Sequence, residues 1–223
     1  VERSRGLGDV YKRQTIDTTA PARPVAPSAY ADDIGNLKNA SSTSLTSDDA
    51  QPGLQIGSGL ADTPALFVDG IQVAAVYDSV TGTLTPSLPL SEGQHALTLT
   101  LTDAAGNRSA ASAAYAITID TTAPAEPSPL TTYGDDIGPL KADSSSAPVT
   151  DDAQPALHIG KDLGDTPTLY VDGVKTAATY DTTTGTLTPN VALAEGVHRL
   201  AITLTDAAGN ESPPSTCLLY TSP

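Results

Sequence analysis

Leu97-Thr-Leu-Thr-Leu-Thr-Asp-Ala-Ala-Gly-Asn107 decides the fold of this chain. Leucines at 97, 99 and 101 alternate with threonines at 98, 100 and 102. Alternation with period two sends one face of a strand into a core and the other into water. Asp103-Ala-Ala-Gly-Asn107 interrupts the alternation and reads as a hairpin connection. Beyond it, Tyr115, Ile117 and Ile119 resume the same spacing. The whole stretch recurs as Leu200-Ala-Ile-Thr-Leu-Thr-Asp-Ala-Ala-Gly-Asn210, 103 residues later. The same offset relates Asp17-Thr-Thr-Ala-Pro21 to Asp120-Thr-Thr-Ala-Pro124, and Asp32-Asp-Ile-Gly35 to Asp135-Asp-Ile-Gly138. A period of this size is too long for a solenoid unit and suits one small domain.

Further strands are expected at Leu54–Ile56, Ala65–Val68, Val73–Tyr77 and Gly82–Pro86. Val68-Asp-Gly70 and Val171-Asp-Gly173 fit hairpin turns, since Asp-Gly readily takes positive φ. No segment carries a helical apolar stripe. About seven short strands per hundred residues is the immunoglobulin-like count. The fold class read from the sequence is therefore all-β: two tandem immunoglobulin-like β-sandwich domains, the second lacking its native last strand. Repeat 1 spans 15–119 and repeat 2, truncated, spans 120–216. The offset also exposes what lies outside the repeat. Residues 1–14 have no counterpart, and Cys217-Leu-Leu-Tyr-Thr-Ser-Pro223 stands where Ala114-Tyr-Ala-Ile-Thr-Ile-Asp120 should recur. Leader and tail are both read as non-native, the alternative being ordinary termini of an array, and on either reading are expected to be poorly ordered.

The full chain of 223 residues has a net charge of −15. Setting leader and tail aside leaves 7 basic and 24 acidic residues, a net charge of −17. Such a chain repels nucleic acid and anionic membrane surfaces. No apolar run reaches the roughly 18 residues that a membrane span needs, so no membrane insertion is expected of this fragment. The single cysteine, Cys217, lies in the tail, so the repeats must be stabilised without disulfides.

Between Tyr30 and Gln51 almost no periodic pattern is visible. The stretch is rich in Ser, Thr, Asn and Asp, and carries the pairs Asp32-Asp33 and Asp48-Asp49; its second copy carries Asp135-Asp136 and Asp151-Asp152. A structureless loop of this length is unusual unless something orders it. In immunoglobulin topology the loop between the first two strands lies at the pole where the chain leaves. The last hairpin lies at the pole where the chain comes in. Asp32, Asp33, Asp48 and Asp49 of repeat 1 then face Asp120 in the linker and Asp206 and Asn210 of repeat 2. Crowded carboxylates repel one another and raise each other's pKa. A hard divalent cation removes that cost, and Ca2+ accepts six to eight oxygen ligands in flexible geometry. No nitrogen or sulfur ligands cluster here, which argues against zinc. Two half-joints follow by the offset: Asp17, Asp103 and Asn107 on one side, and Asp135, Asp136, Asp151 and Asp152 on the other. These are expected to hold metal weakly or not at all. The competing readings are turn chemistry for each single Asp, and sites within a domain rather than between domains. Asp69 and Asp172 are assigned to turns.

The blocks Ile-Asp-Thr-Thr-Ala-Pro, Asp-Asp-Ile-Gly, Ser/Thr-Asp-Asp-Ala-Gln-Pro, Glu-Gly-x-His and Thr-Asp-Ala-Ala-Gly-Asn together resemble the bacterial Ig-like tandem repeats of large biofilm-associated, type I-secreted surface adhesins. The resemblance covers residues 15–216. It implies an extracellular stalk on the bacterial cell surface, stiffened by calcium, whose partners are neighbouring Ig-like repeats of the same chain. Carried over residue by residue, it implies calcium ligation by Asp33, Asp48, Asp49, Asp120, Asp206 and Asn210. Leu84 and Leu187 stand where that family often has Trp.

No enzyme is expected. His95 and His198 are equivalent strand residues, His158 is matched by Gln55, and no Ser, His and Asp share a spacing that suggests a nucleophile and its base. A glycan- or protein-binding module is the alternative function, and a spacer in a secreted multidomain enzyme is another. The sequence does not name a host or matrix ligand.

Overall fold

The structure, a computed structural model, describes residues 15–139 and 141–222. The leader, 1–14, lies outside the described residues. Strands form wherever the period-two pattern is sustained, and no helix occurs among the described residues. Repeat 1 contains β1 (Tyr30–Asp32), β2 (Asn39–Ser42), β3 (Thr46–Ser47), β4 (Gly53–Gln55), β5 (Thr63–Val68), β6 (Ile71–Val73), β7 (Ala75–Asp78), β8 (Thr83–Pro86), β9 (Gly93–Thr102) and β10 (Tyr115–Ile119). They make two five-stranded sheets, β2-β1-β4-β8-β7 and β3-β10-β9-β5-β6. Repeat 2 contains β11 (Tyr133–Asp135), β12 (Ala142–Ser145), β13 (Ala156–His158), β14 (Thr166–Val171), β15 (Val174–Thr176), β16 (Ala178–Asp181), β17 (Thr186–Pro189), β18 (Gly196–Thr205) and β19 (Leu218–Ser222). Its sheets are β12-β11-β13-β17-β16 and β15-β14-β18-β19.

The inward-facing residues of each sandwich meet in one core. Tyr30, Leu54, Leu66, Leu84, Leu97 and Ile117 are buried together in repeat 1, and Tyr133, Leu157, Leu169, Leu187, Leu200 and Tyr220 in repeat 2. The two sets are position-for-position equivalents. Buried phenols need partners: Tyr30 donates its hydroxyl to the carbonyl of Thr46, and Tyr133 to that of Ala147. Leu84 and Leu187, in the slot where the resemblance would place Trp, are fully buried.

Three expectations from the sequence are corrected. The patternless stretch from Tyr30 to Gln51 holds three strands, β1, β2 and β3. They run two to four residues each, too short to display a period. Val73–Tyr77 is not one strand. The chain passes from β6 in one sheet to β7 in the other across Ala74. The tail is not left unpaired either. Leu218–Ser222 pairs with β18 in the register that β10 takes on β9: Leu200 faces Leu218 as Leu97 faces Tyr115. Tyr220 fills the core position of Ile117, edge-on to Tyr133 with ring centroids 5.2 Å apart. Its hydroxyl donates to the carbonyl of Asp152. The alternation Leu218, Tyr220 is enough to complete the sheet, because an open strand edge accepts any strand of suitable pattern.

The Asp-Gly turns take positive φ as expected, 51° at Asp69 and 52° at Asp172. Their carboxylates do more than turn the chain. Asp69 Oδ1 accepts the backbone N–H of Ala96 at 2.8 Å, and Oδ2 lies 2.7 Å from His95 Nδ1. His95 Nε2 lies 2.9 Å from the carbonyl of Ser91. Asp172, His198 and Ala194 repeat this geometry. Both ring nitrogens face acceptors, which suits the doubly protonated imidazolium. The hydrogen bond that His95 donates to the Asp69 carboxylate accordingly holds the His95 pKa above its ordinary value, as the bond to Asp172 does for His198.

Candidate functional site: the joint between repeats

The last hairpin of repeat 2 is built around one carboxylate. Asp206 Oδ1 accepts the backbone N–H groups of Ala208, Gly209 and Asn210 at 2.8–3.0 Å. Its Oδ2 accepts from Asn210 Nδ2 at 2.9 Å. That same Nδ2 donates to the backbone carbonyl of Asp120 at 2.7 Å, tying the hairpin to the linker. The linker is fixed to repeat 1 as well. Asp120 donates its N–H to the carbonyl of Ser47, and Thr121 donates its N–H to the Glu92 carboxylate at 2.9 Å. Asp120 Oδ1 accepts from the N–H of Thr122.

Repeat 1 meets the hairpin with its acidic loop. The N–H groups of Asn36 and Asp48 donate to the carbonyls of Gly209 and Ala208, each at 3.2 Å. Asp32, Asp48 and Asp49 are buried, while Asp33 is exposed. Asp32 Oδ2 accepts from the Ser47 hydroxyl at 2.8 Å, and that hydroxyl accepts the N–H of Asp49 at 3.1 Å. Asp49 Oδ1 accepts the N–H of Gln51 at 2.7 Å. Asp48 differs from these. It is only 6% exposed, yet Oδ1 has no hydrogen-bond partner. Burial pushes its pKa up, and the charges of Asp32, Asp206 and Asp49 add to the shift. Burial raises Asp49 too, with Asp33 and Asp32 contributing. The pole assignment made from topology therefore places the acidic loop, Asp120, Asp206 and Asn210 at one joint. Among the described residues no three carboxylates stand in a preformed ligating cluster. Most are turned toward backbone N–H groups and hydroxyls.

The linker–hairpin bond recurs on the other side of repeat 1. Asn107 Nδ2 donates to Asp103 Oδ2 at 3.0 Å and to the carbonyl of Asp17 at 3.1 Å. A unit that carries half of each joint and repeats without a gap is a tandem module. The model of the bacterial Ig-like domain matches this chain twice, over residues 23–121 and 130–220. The chain belongs to the bacterial Ig-like domain family. Bacterial Ig-like domains are typically non-catalytic modules. No curated protein matches the chain. Among solved structures it is similar to fibronectin(III)-like modules of Clostridium thermocellum CbhA, at 11% identity over 80% of this chain and 87% of that one, with a TM-score of 0.47. It is also similar to Bacteroides ovatus SGBP-B, solved with a mixed-linkage heptasaccharide, at 14% identity over 80% of this chain and 43% of that one, with a TM-score of 0.24. These distant likenesses carry no weight for function.

The second bacterial Ig-like domain shows what the joint does to its residues. Asp135 and Asp152 are buried as Asp32 and Asp49 are, and Thr150 replaces Ser47 in bridging them. Burial again raises Asp152, helped by the charges of Asp136 and Asp135. Asp151, the counterpart of Asp48, is exposed. The hairpin of repeat 2 packs over Asp48, with Gly209 against its carboxylate and the Ala208 carbonyl accepting its N–H. Sequence reasoning missed the hydroxyl bridge, although a Ser or Thr directly precedes both Asp-Asp pairs. It also missed Asn36 and Glu211. Asn36 Nδ2 donates to Glu211 Oε2 across the joint at 2.7 Å. Asn36 and Glu211 differ from their counterparts in the other repeat, so the offset gave no signal for either.

Proposed function

We propose that this pair of domains is a calcium-stiffened stalk segment of a bacterial cell-surface adhesin, serving adhesion and biofilm formation by mechanical reach. The supporting observation is Asp48: a carboxylate buried by the neighbouring domain, its Oδ1 without a hydrogen-bond partner and its pKa raised beside Asp32, Asp206 and Asp49. Leaving such a charge unpaired costs several kcal/mol, on the order of 3–5 for a buried ion stripped of its partner. The oxygen donors at hand suit a hard cation. Asp48, Asp32, Asp33, Asp49, Asp120 and Asp206 would supply carboxylates to Ca2+, and Asn210 an amide oxygen once its side chain turns. Bound there, Ca2+ would join the linker and both domains, and so resist bending.

An extracellular, type I-secreted location agrees with this reading. The chain is acidic and no helix among the described residues is long and apolar enough to cross a membrane. The experiment is small-angle scattering and thermal melting of the chain with calcium and with chelator. Calcium at roughly a hundredfold above its Kd should stabilise by about 2–3 kcal/mol and sharpen the scattering toward one rigid, extended particle. Unchanged maximum dimension together with unchanged melting would overturn the calcium reading.

A further inference from the structure

The joint has a second fastener that uses no cation, and it centres on one residue. Asn36 makes two bonds to the next repeat: its backbone N–H to the Gly209 carbonyl at 3.2 Å, and its side-chain Nδ2 to Glu211 Oε2 at 2.7 Å. Glu211 is held ready for this contact. Its Oε1 accepts from the Tyr170 hydroxyl at 2.8 Å and the Thr203 hydroxyl at 2.6 Å. A carboxylate already fixed by two donors loses little freedom when the third arrives.

The two repeats differ at both ends of this contact. Pro139 occupies the position of Asn36. Proline has neither a backbone N–H nor a side-chain donor, so both bonds are lost at one substitution. The loop itself keeps its shape, since Gly35 and Gly138 have φ of 63° and 64°. On the receiving side, Arg108 occupies the position of Glu211, and its surroundings change to match. The Arg108 guanidinium lies 4.5 Å over the ring of Phe67, where repeat 2 has the hydroxyl of Tyr170, and Nε donates to Thr100 Oγ1 at 3.0 Å. In each repeat the residue after the hairpin is pre-oriented by its own sheet, but with opposite charge.

We propose that position 36/139 and its partner at 108/211 form a cation-independent latch that grades joints along the array. Asn36 facing Glu211 makes a latched joint. An exit loop with Pro139 makes a loose one whatever repeat follows. Stiffness is then written into the order of the repeats as well as into metal occupancy. The latch stands apart from the calcium reading, and its test is run in chelator.

Nitrogen-15 relaxation of the full chain reports whether the two domains tumble as one body. In chelator, Asn36→Pro should roughly halve the rotational correlation time of each domain, toward that of an independent unit. Repeat 2 shows that proline is compatible with the loop. Asn36→Ala keeps the backbone bond and Glu211→Gln keeps shape without charge. Each should lower the ratio of docked to undocked joints roughly five- to tenfold. The pair Tyr170→Phe with Glu211→Arg transplants the repeat 1 arrangement, and Asn36→Asp added to it should restore common tumbling. The latch is overturned if Asn36→Ala and Asn36→Pro both tumble as the unaltered chain does in chelator, or if Asn36→Asp fails to restore docking to the transplant. Calcium added to the unaltered chain tests the other reading separately.

Discussion

The carboxylate of Asp48 occupies the space where a side chain on Gly35 would begin. A Cβ built on Gly35 would meet Asp48 Oδ2 head-on, and one on Gly209 of the next repeat would come within 3.2 Å of the same oxygen. Two glycines from two domains thus make the slot that the carboxylate fills. Gly35 has a further reason to be glycine, its φ of 63°.

Gly35→Ala is therefore expected to lower the stability of repeat 1 by about 1–3 kcal/mol from backbone strain, plus the cost of displacing Asp48. Gly59→Ala is the control, because Gly59 has φ of 66° and nothing within 4 Å of a built Cβ. Denaturant melts of both variants should show a clearly larger loss for Gly35→Ala. Equal losses would mean that Asp48 moves aside freely.

Asp48→Asn removes the buried charge and keeps the shape. In chelator it should raise the melting temperature, since repulsion with Asp32, Asp206 and Asp49 is relieved. With calcium added, the increment seen for the unaltered chain should vanish. Asp151→Asn should change neither measurement, because Asp151 is already exposed to water.

The histidine clamps give a pH dependence of known sign. The folded-state pKa values of His95 and His198 are raised, first by their hydrogen bonds to Asp69 and Asp172. Their contribution to stability is complete below the unfolded value, about 6.5, and fades as pH rises through the folded value. Melting temperature should therefore fall as pH rises above about 6.5. The fall should be smaller in a His95→Gln, His198→Gln double variant.

Tyr220→Ala tests whether the tail is part of the sandwich. The side chain is fully buried against Tyr133, so its removal should cost repeat 2 about 3–5 kcal/mol. Cys217→Ser, at an exposed neighbour, should change stability by no more than ~0.5 kcal/mol. Calorimetry that separates the two domain transitions would show the loss in repeat 2 alone.

Much of the fold was legible because its longest strands advertise themselves. The ten residues of β9 and of β18 carry the alternation that defines the core face. The joint was legible for a different reason. Topology alone places the first loop of one sandwich opposite the last hairpin of the next, and both are marked by Asp and Asn. β1, β2 and β3 were not legible, because strands so short leave no period. Nor was the passage from β6 to β7 between sheets, since Ala74 carries no breaker signal. The Asp69–His95 clamp was hidden because its partners lie 26 residues apart.

The sequence by itself determined the repeat, its length, the alternating strands and the set of acidic residues that share a joint. These depend on local pattern and on chain order, which one copy of the repeat carries as well as the other. Only the tertiary structure decided that Asp48 is buried and Asp151 is not, that Tyr220 completes the core of repeat 2, and that Asn36 reaches Glu211. Each of these depends on what another part of the chain brings within a few ångströms. Burial, desolvation and hydrogen bonding across a joint are properties of the pair, and neither partner's local sequence contains them.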